Sequence, residues 1–128
     1  ARKIRAGDGR VALLGLGQML PAAEEAAAIL ATEGIDATVY DPRVVLPLDP
    51  AMIDDIADHD CVVSIEDGLR MGGAGAEVRD ALGERGASCR VRVLGVPTEY
   101  IPHDDPDAIH ARFGLDGEGI AASVRALL

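Results

Sequence analysis

A three-layer α/β domain is predicted: a five-stranded, mostly parallel mixed sheet with one antiparallel strand, covered by helices on both faces. Three observations predict it. Strand-like and helix-like patterns alternate along the chain, an order that right-handed crossovers turn into a parallel sheet. The run Val11-Ala12-Leu13-Leu14 is continuously apolar rather than alternating, as in a central strand buried on both sides. Alanine is abundant while the aromatic residues are Tyr40, Tyr100 and Phe113 alone, and small side chains let helices lie close to a sheet. With 128 residues there is material for a single domain, 1–128, that buries about two-thirds of its unfolded surface.

The elements follow in order. An alternating stretch, 1–5, precedes a turn at Ala6-Gly7-Asp8-Gly9. Asp-Gly between two strand-like runs predicts a hairpin with the strand over 10–16, since both residues tolerate positive φ. Pro21 suits a first helical turn, and Glu24 and Glu25 suit the positive end of a helix dipole. Ala23, Ala26, Ala27 and Leu30 repeat at helical spacing until Gly34 ends the helix near residue 33. A strand over 35–40 follows. Asp49-Pro50 is an N-cap and first-position pair, opening a helix with Ile53, Ile56 and Ala57 inward. A core strand over 61–65 leads to a glycine-started helix over 72–85 with Val78, Ala81 and Leu82 inward. Residues 89–94 alternate as a strand. A short helix over 105–113 and a last one over 117–127 close the sequence.

Charge narrows the function classes. Twenty-two acidic against twelve basic side chains leave −10, spread along the chain. A field of that sign repels phosphate backbones and anionic lipid, and no basic patch opposes it beyond Arg2-Lys3-Arg5. Neither nucleic acid nor membrane is therefore an expected partner. No apolar run approaches the ~20 residues that span a bilayer, and no charged-then-apolar leader opens the sequence, so a soluble, cytoplasmic protein is expected. Lys3 is the sole lysine, which removes any Walker-type Gly-Lys-Ser/Thr loop. Cys61 and Cys89 lack Cys-x-x-Cys spacing and read as reduced core thiols.

Four features invite a functional reading. Gly15-Leu16-Gly17 stands between strand and helix, but the third glycine of a dinucleotide loop is replaced by Leu20, leaving a plain turn. Met71-Gly72-Gly73-Ala74-Gly75 is a glycine-rich strand–helix junction. Gly72, Gly73 and Gly75, with Arg70, are candidates either for close packing against another polypeptide or for an anion loop. Glu66 ends a core strand and needs donors, either Arg43 as an ion-pair partner or the amides of the following helix. His59, His103 and His110 show no metal spacing, and Ser64, Ser88 and Ser123 lack a nucleophile elbow. No catalytic, cofactor-binding or metal-ligating residue is assigned.

A resemblance adds to this reading. The blocks that carry it are Tyr40-Asp41-Pro42-Arg43-Val44-Val45-Leu46-Pro47-Leu48-Asp49, Val62-Val63-Ser64-Ile65-Glu66-Asp67-Gly68 and Met71-Gly72-Gly73-Ala74-Gly75. Further on stand Leu94-Gly95-Val96-Pro97-Thr98-Glu99-Tyr100-Ile101-Pro102-His103 and Phe113-Gly114-Leu115-Asp116-Gly117-Glu118-Gly119-Ile120. In this order they resemble the C-terminal domain of the transketolase-like, thiamine-diphosphate-dependent enzymes, over nearly the whole chain. Within that family the glycine stretch, the Gly-x-Pro…Ile-Pro-His turn and the Gly-Leu-Asp…Gly-Ile ending look most like the 1-deoxy-D-xylulose-5-phosphate synthases. The equivalent domain of a transketolase or of a 2-oxoacid dehydrogenase beta subunit stays open, as does a free-standing anion-binding regulatory module.

The resemblance implies a parent transferase that joins pyruvate to glyceraldehyde 3-phosphate with loss of carbon dioxide, for isoprenoid precursor synthesis. It also implies that thiamine diphosphate and Mg²⁺ are held by preceding N-terminal and central domains, across a homodimer. The family's Gly-Asp-Gly metal motif ends in asparagine; this chain has Gly7-Asp8-Gly9 but no asparagine, so the match belongs to the turn. The chain is accordingly expected to be an inactive structural and dimer-supporting domain of a larger enzyme, itself without a cofactor. A composition rich in Arg and Ala and free of Asn is consistent with a high-GC bacterial gene. An interface left open by absent domains would expose an apolar patch of several hundred Å².

Overall fold

The computed structural model describes residues 1–43, 48–69, 73–96 and 115–128. Its elements are β1 (Arg2–Arg5), β2 (Val11–Gly15), a 3₁₀ turn (Gly17–Met19), α1 (Leu20–Ala31), β3 (Thr38–Asp41), α2 (Pro50–Ala57), β4 (Cys61–Leu69), α3 (Ala74–Glu84), β5 (Arg90–Val96) and α4 (Gly117–Leu127). The five strands form one sheet in the order β1-β3-β2-β4-β5. Only the β1–β3 ladder is antiparallel; β2–β3, β2–β4 and β4–β5 are parallel. The expected three-layer mixed sheet is therefore the observed one.

Side-chain parity sorts the core into two layers. Val11, Leu13, Val39, Val63, Ile65 and Leu94 meet α1 and α4 through Ala23, Ala26, Ala27, Leu30, Ile120 and Val124. Ala12, Leu14, Tyr40 and Val62 meet α2 and α3 through Met52, Ile53, Ile56, Val78 and Leu82. The alanines of α1 at positions 23, 26 and 27 are buried, and their small side chains let that helix lie close to the strands. Outside the core, Arg125 forks onto Glu33 with contacts of 2.7 and 2.6 Å, tying α4 to the exit of α1.

Local signals account for most boundaries. Asp49 caps α2 by accepting from Ala51 N at 3.0 Å, and Asp116 caps α4 by accepting from Gly119 N at 2.8 Å. Gly34, at φ +79°, turns the chain out of α1, and Ile35 N then donates back to Leu30 O at 3.0 Å. That return bond keeps Ile35 in the helix exit, so β3 starts at Thr38 rather than at 35. The strand expected over 61–65 runs on to Leu69, and α3 begins at Ala74, two residues later than 72. The short helix expected over 105–113 lies outside the described residues.

One expectation is corrected: β1 and β2 do not form a hairpin. Both edges of β2 carry parallel ladders, to β3 and to β4, and no edge is left for β1. The Asp8-Gly9 turn exists, with Gly9 at φ +95° and Asp8 Oδ1 accepting from Arg10 N. It carries the chain across the entrance of β3 instead. Asp8 N donates to Asp36 O at 3.0 Å, and a Cβ on Gly7 would lie 2.2 Å from that same oxygen. A short, basic, largely exposed β1 has little to bury, so the edge position costs it least, and β2 keeps the sites where apolar surface is removed from water.

Among the described residues no helix is long and apolar enough to cross a membrane. Among them the exposed large hydrophobic residue is Leu128. Two glycine substitutions separate steric need from flexibility. Gly7→Ala should lower stability by about 1–3 kcal/mol, because the new methyl meets backbone that cannot yield. Gly83→Ala, in α3 with nothing within 4 Å, should raise it by up to ~1 kcal/mol through helix propensity. Urea denaturation of both variants checks the opposite signs.

Candidate functional site

The parity of β4 directs Val62, Ser64 and Glu66 toward α2 and α3, and Cys61, Val63 and Ile65 toward α1 and α4. Glu66 is thereby carried into the interior, 9% exposed, at the carboxyl end of the sheet. A carboxylate there must be met by donors. Ala74 N donates to its Oε2 at 3.0 Å and Gly75 N to its Oε1 at 3.5 Å. These amides open α3, whose N-cap, Gly73, has no side chain to cap with. A strand residue eight positions upstream supplies the missing cap, and its charge sits at the positive end of the helix dipole.

Gly75 sets how close α3 comes. A Cβ at that position would lie 2.4 Å from Val93 Cγ1 and 2.6 Å from Ser64 Oγ. The glycine-rich junction thus serves, at Gly75, the packing of α3 on this chain's own β4 and β5. Ser64 Oγ, fully buried in that contact, has no hydrogen-bond partner. Of the two partnerships open to Glu66, the structure shows the amides. Arg43 instead turns to Asp41: its backbone, at φ +59°, donates to Asp41 Oδ1 at 3.1 Å, and Nε stands 3.8 Å from Oδ2. Gly73 caps α3, whereas Arg70 and Gly72 lie outside the described residues. An anion loop at this junction would need the very amides that Glu66 holds.

Gly15-Leu16-Gly17 is a strand–helix turn. A Cβ on Gly15 would lie 2.7 Å from Leu20 Cα, and Gly17 adopts φ +56° to start the 3₁₀ turn. Cys61 and Cys89 are both free, and burial first of all pushes both thiols up, which keeps them protonated and unreactive. His103 and His110 lie outside the described residues. Among those described, no three His, Cys, Asp or Glu side chains gather to hold a metal ion.

A second polar cluster, not singled out from the sequence, ties α2 to the β1–β3 edge. Tyr40 OH donates to Asp55 Oδ2 at 2.5 Å, Lys3 Nζ lies 2.9 Å from the same oxygen, and Lys3 stands 5.6 Å from the Tyr40 ring centre. His59 joins through Thr38 and the Asp55 carbonyl. Asp55 and His59 share a helix face at i, i+4, and Thr38 and Tyr40 share a strand face at i, i+2. Both signals were available in the sequence; which helix covers which strand was not. The Tyr40 hydroxyl, chiefly through Asp55's acceptance of its proton, holds the Asp55 carboxyl below the ordinary range, while burial and then Asp55 push Tyr40 upward.

Sheet order and helices on both faces define the class: a three-layer α/β domain built on a five-stranded mixed sheet. The chain belongs to the transketolase C-terminal domain family, whose model matches residues 1–120. It is similar to the 1-deoxy-D-xylulose-5-phosphate synthase of Magnetococcus marinus, 38% identical over 130 residues, covering 99% of this chain and 21% of that protein. The synthase of Burkholderia ambifaria is 44% identical over 117 residues, covering 91% and 17%. The synthase of Cupriavidus taiwanensis is 45% identical over 122 residues, covering 94% and 18%. The chain thus spans about a fifth of the length of the curated relatives it matches. Among solved structures it superposes on "Split gene transketolase, inactive beta4 tetramer" with a TM-score of 0.90 at 30% identity, over 99% of this chain and 41% of that one. A 2-oxoglutarate:ferredoxin oxidoreductase from Magnetococcus marinus shares the fold alone, at TM-score 0.65 and 17% identity over 95% of this chain and 18% of that one.

Glu66→Ala strands one buried and one half-buried amide at the start of α3 and should cost about 1–3 kcal/mol in urea denaturation, with Glu66→Gln, which keeps an acceptor oxygen, costing less. Tyr40→Phe should let the Asp55 carboxyl return upward toward 3.8, its unperturbed value. The stability contributed by a lowered carboxyl is present above the unfolded value and is lost as pH falls through the folded one. In the variant that acid loss shrinks, and carboxyl ¹³C NMR titration of Asp55 measures the change.

Proposed function

We propose that this chain is the carboxy-terminal domain of a 1-deoxy-D-xylulose-5-phosphate synthase, one domain (1–128) of a longer, cytoplasmic, bacterial enzyme. The observation that carries the reading is asymmetric coverage. Synthases match 91–99% of this chain, which in turn matches only 17–21% of them. The parent reaction joins pyruvate to glyceraldehyde 3-phosphate and releases carbon dioxide, giving 1-deoxy-D-xylulose 5-phosphate for isoprenoid synthesis. Thiamine diphosphate, bound with Mg²⁺ by other domains of the parent, supplies the carbanion chemistry.

The described residues do not fit that cofactor. A diphosphate needs free amides or cations, and the α3 amides already hold Glu66; Mg²⁺ needs an oxygen cluster, and none is gathered. The same occupancy weighs against a free-standing anion-binding module. What the domain contributes instead is a rigid α/β block that braces the other domains and the homodimer. A transketolase-type parent is the second reading, supported by the superposition on the split-gene transketolase.

The isolated 128-residue chain, given pyruvate, glyceraldehyde 3-phosphate, thiamine diphosphate and Mg²⁺, should release no carbon dioxide. Its melting temperature should not move with the cofactor, whereas a ligand at 100 times Kd would add about 2.7 kcal/mol. Turnover or a clear thermal shift overturns the bracing role. The longer polypeptide carrying this chain separates the parents: decarboxylation of pyruvate onto glyceraldehyde 3-phosphate supports the synthase, and two-carbon transfer from a ketose phosphate without gas release supports the transketolase.

A further inference from the structure

The His59 ring, with the residue 7% exposed, has both nitrogens engaged, and the partners dictate where its proton sits. Nδ1 lies 3.0 Å from the carbonyl oxygen of Asp55, which can only accept, so Nδ1 carries hydrogen. Nε2 lies 3.1 Å from Thr38 Oγ1, which is also the acceptor for Gly7 N at 2.9 Å. In the neutral ring every group is satisfied. Gly7 N–H donates to Thr38, Thr38 O–H donates to Nε2, and Nδ1–H donates to Asp55 O. One relay therefore joins the β1–β2 connection, the first residue of β3 and the end of α2.

We propose that His59 is a proton-sensitive latch on the amino-terminal edge of the sheet: a second ring proton, placed on Nε2, reverses the Thr38 bond and loosens β1 from α2. With Nε2 protonated, two donors converge on Thr38 Oγ1 and the threonine proton loses its acceptor inside the fold, since Thr38 is 3% exposed. An unmatched buried hydroxyl weakens the site that seats Gly7.

On its own helix side His59 stands near the Asp55 carboxylate, and its exposed sequence neighbours Asp58 and Asp60 line the same cleft. From β1 and β3 come Lys3 and Tyr40, both already committed to Asp55. Across a cleft of about 490 Å³, β5 presents Arg90, whose guanidinium donates to Leu127 O, beside the Cys89 thiol. The hydrogen-bond geometry is what makes a second ring proton disruptive, because both ring nitrogens already have partners. β1 is the element next to that change, held otherwise by one irregular antiparallel ladder, by Ile4 packed on the core, by the Ala1–Asp49 ion pair and by exposed ion pairs of Lys3 and Arg5.

Two measurements on the full 128-residue chain test the latch. Ring ¹⁵N NMR at neutral pH should show Nδ1 protonated and Nε2 bare. On acidification, amide exchange of β1, corrected for intrinsic rates, should accelerate about tenfold in step with His59 protonation, while β2 and β4 stay protected. His59→Gln, which accepts from Thr38 but does not titrate, should remove the step; Thr38→Ser should retain it, and is informative even if the glutamine variant does not fold. A protonated Nε2 in the neutral ring, or β1 exchange indifferent to His59 protonation, overturns the proposal.

Discussion

β2 has neither a free face nor a free edge. Val11 to Leu14 are entirely buried, α1 and α4 cover one side, α2 and α3 the other, and parallel ladders occupy both edges. A strand so placed must be apolar at every position, and this one is. The demand also propagates. β3 and β4 must reach β2 by helical crossovers, β1 is displaced to the rim, and polar groups must cluster where strands begin or end. The two clusters found among the described residues obey that rule: Glu66 at the carboxyl end of β4, His59 and Thr38 at the amino ends of β4 and β3.

Glu66 shows how such an end can be closed from within. In many α/β domains the amides that open a helix beyond a strand receive an anion from outside. Here a carboxylate from the preceding strand takes that place, and Gly75 lets α3 descend until its backbone meets Ser64 and Val93. The start of α3 is thereby held against β4 and β5. Amides occupied in this way support the proposal that the chemistry of a longer enzyme lies in its other domains.

Much of the architecture was legible because its signals are local. Asp49-Pro50 specified a cap and a first turn, Gly34 specified a left-handed exit, and Ala23, Ala26, Ala27 and Leu30 specified a buried stripe. The hairpin was misread for the same reason. Asp8-Gly9 does make its turn, but a turn states only how the chain bends, and competition for the edges of β2 states what it then pairs with. At Glu66 the residue was legible and the partner was open, since Arg43 and the α3 amides satisfy a carboxylate equally well on paper. Arg43 found Asp41 two residues away.

By itself, then, the sequence determined the fold class, the identity of the central strand and the ends of most helices, because periodicity, caps and glycine conformations act within a few residues. The tertiary structure alone decided that β1 pairs with β3, that Glu66 caps α3, and that α2 lays Asp55 and His59 over Tyr40 and Thr38. Each of these joins residues that are distant along the chain or whose partner depends on which layer covers which strand. Their distance is set by how the whole apolar surface closes, a global condition that no short window of residues contains.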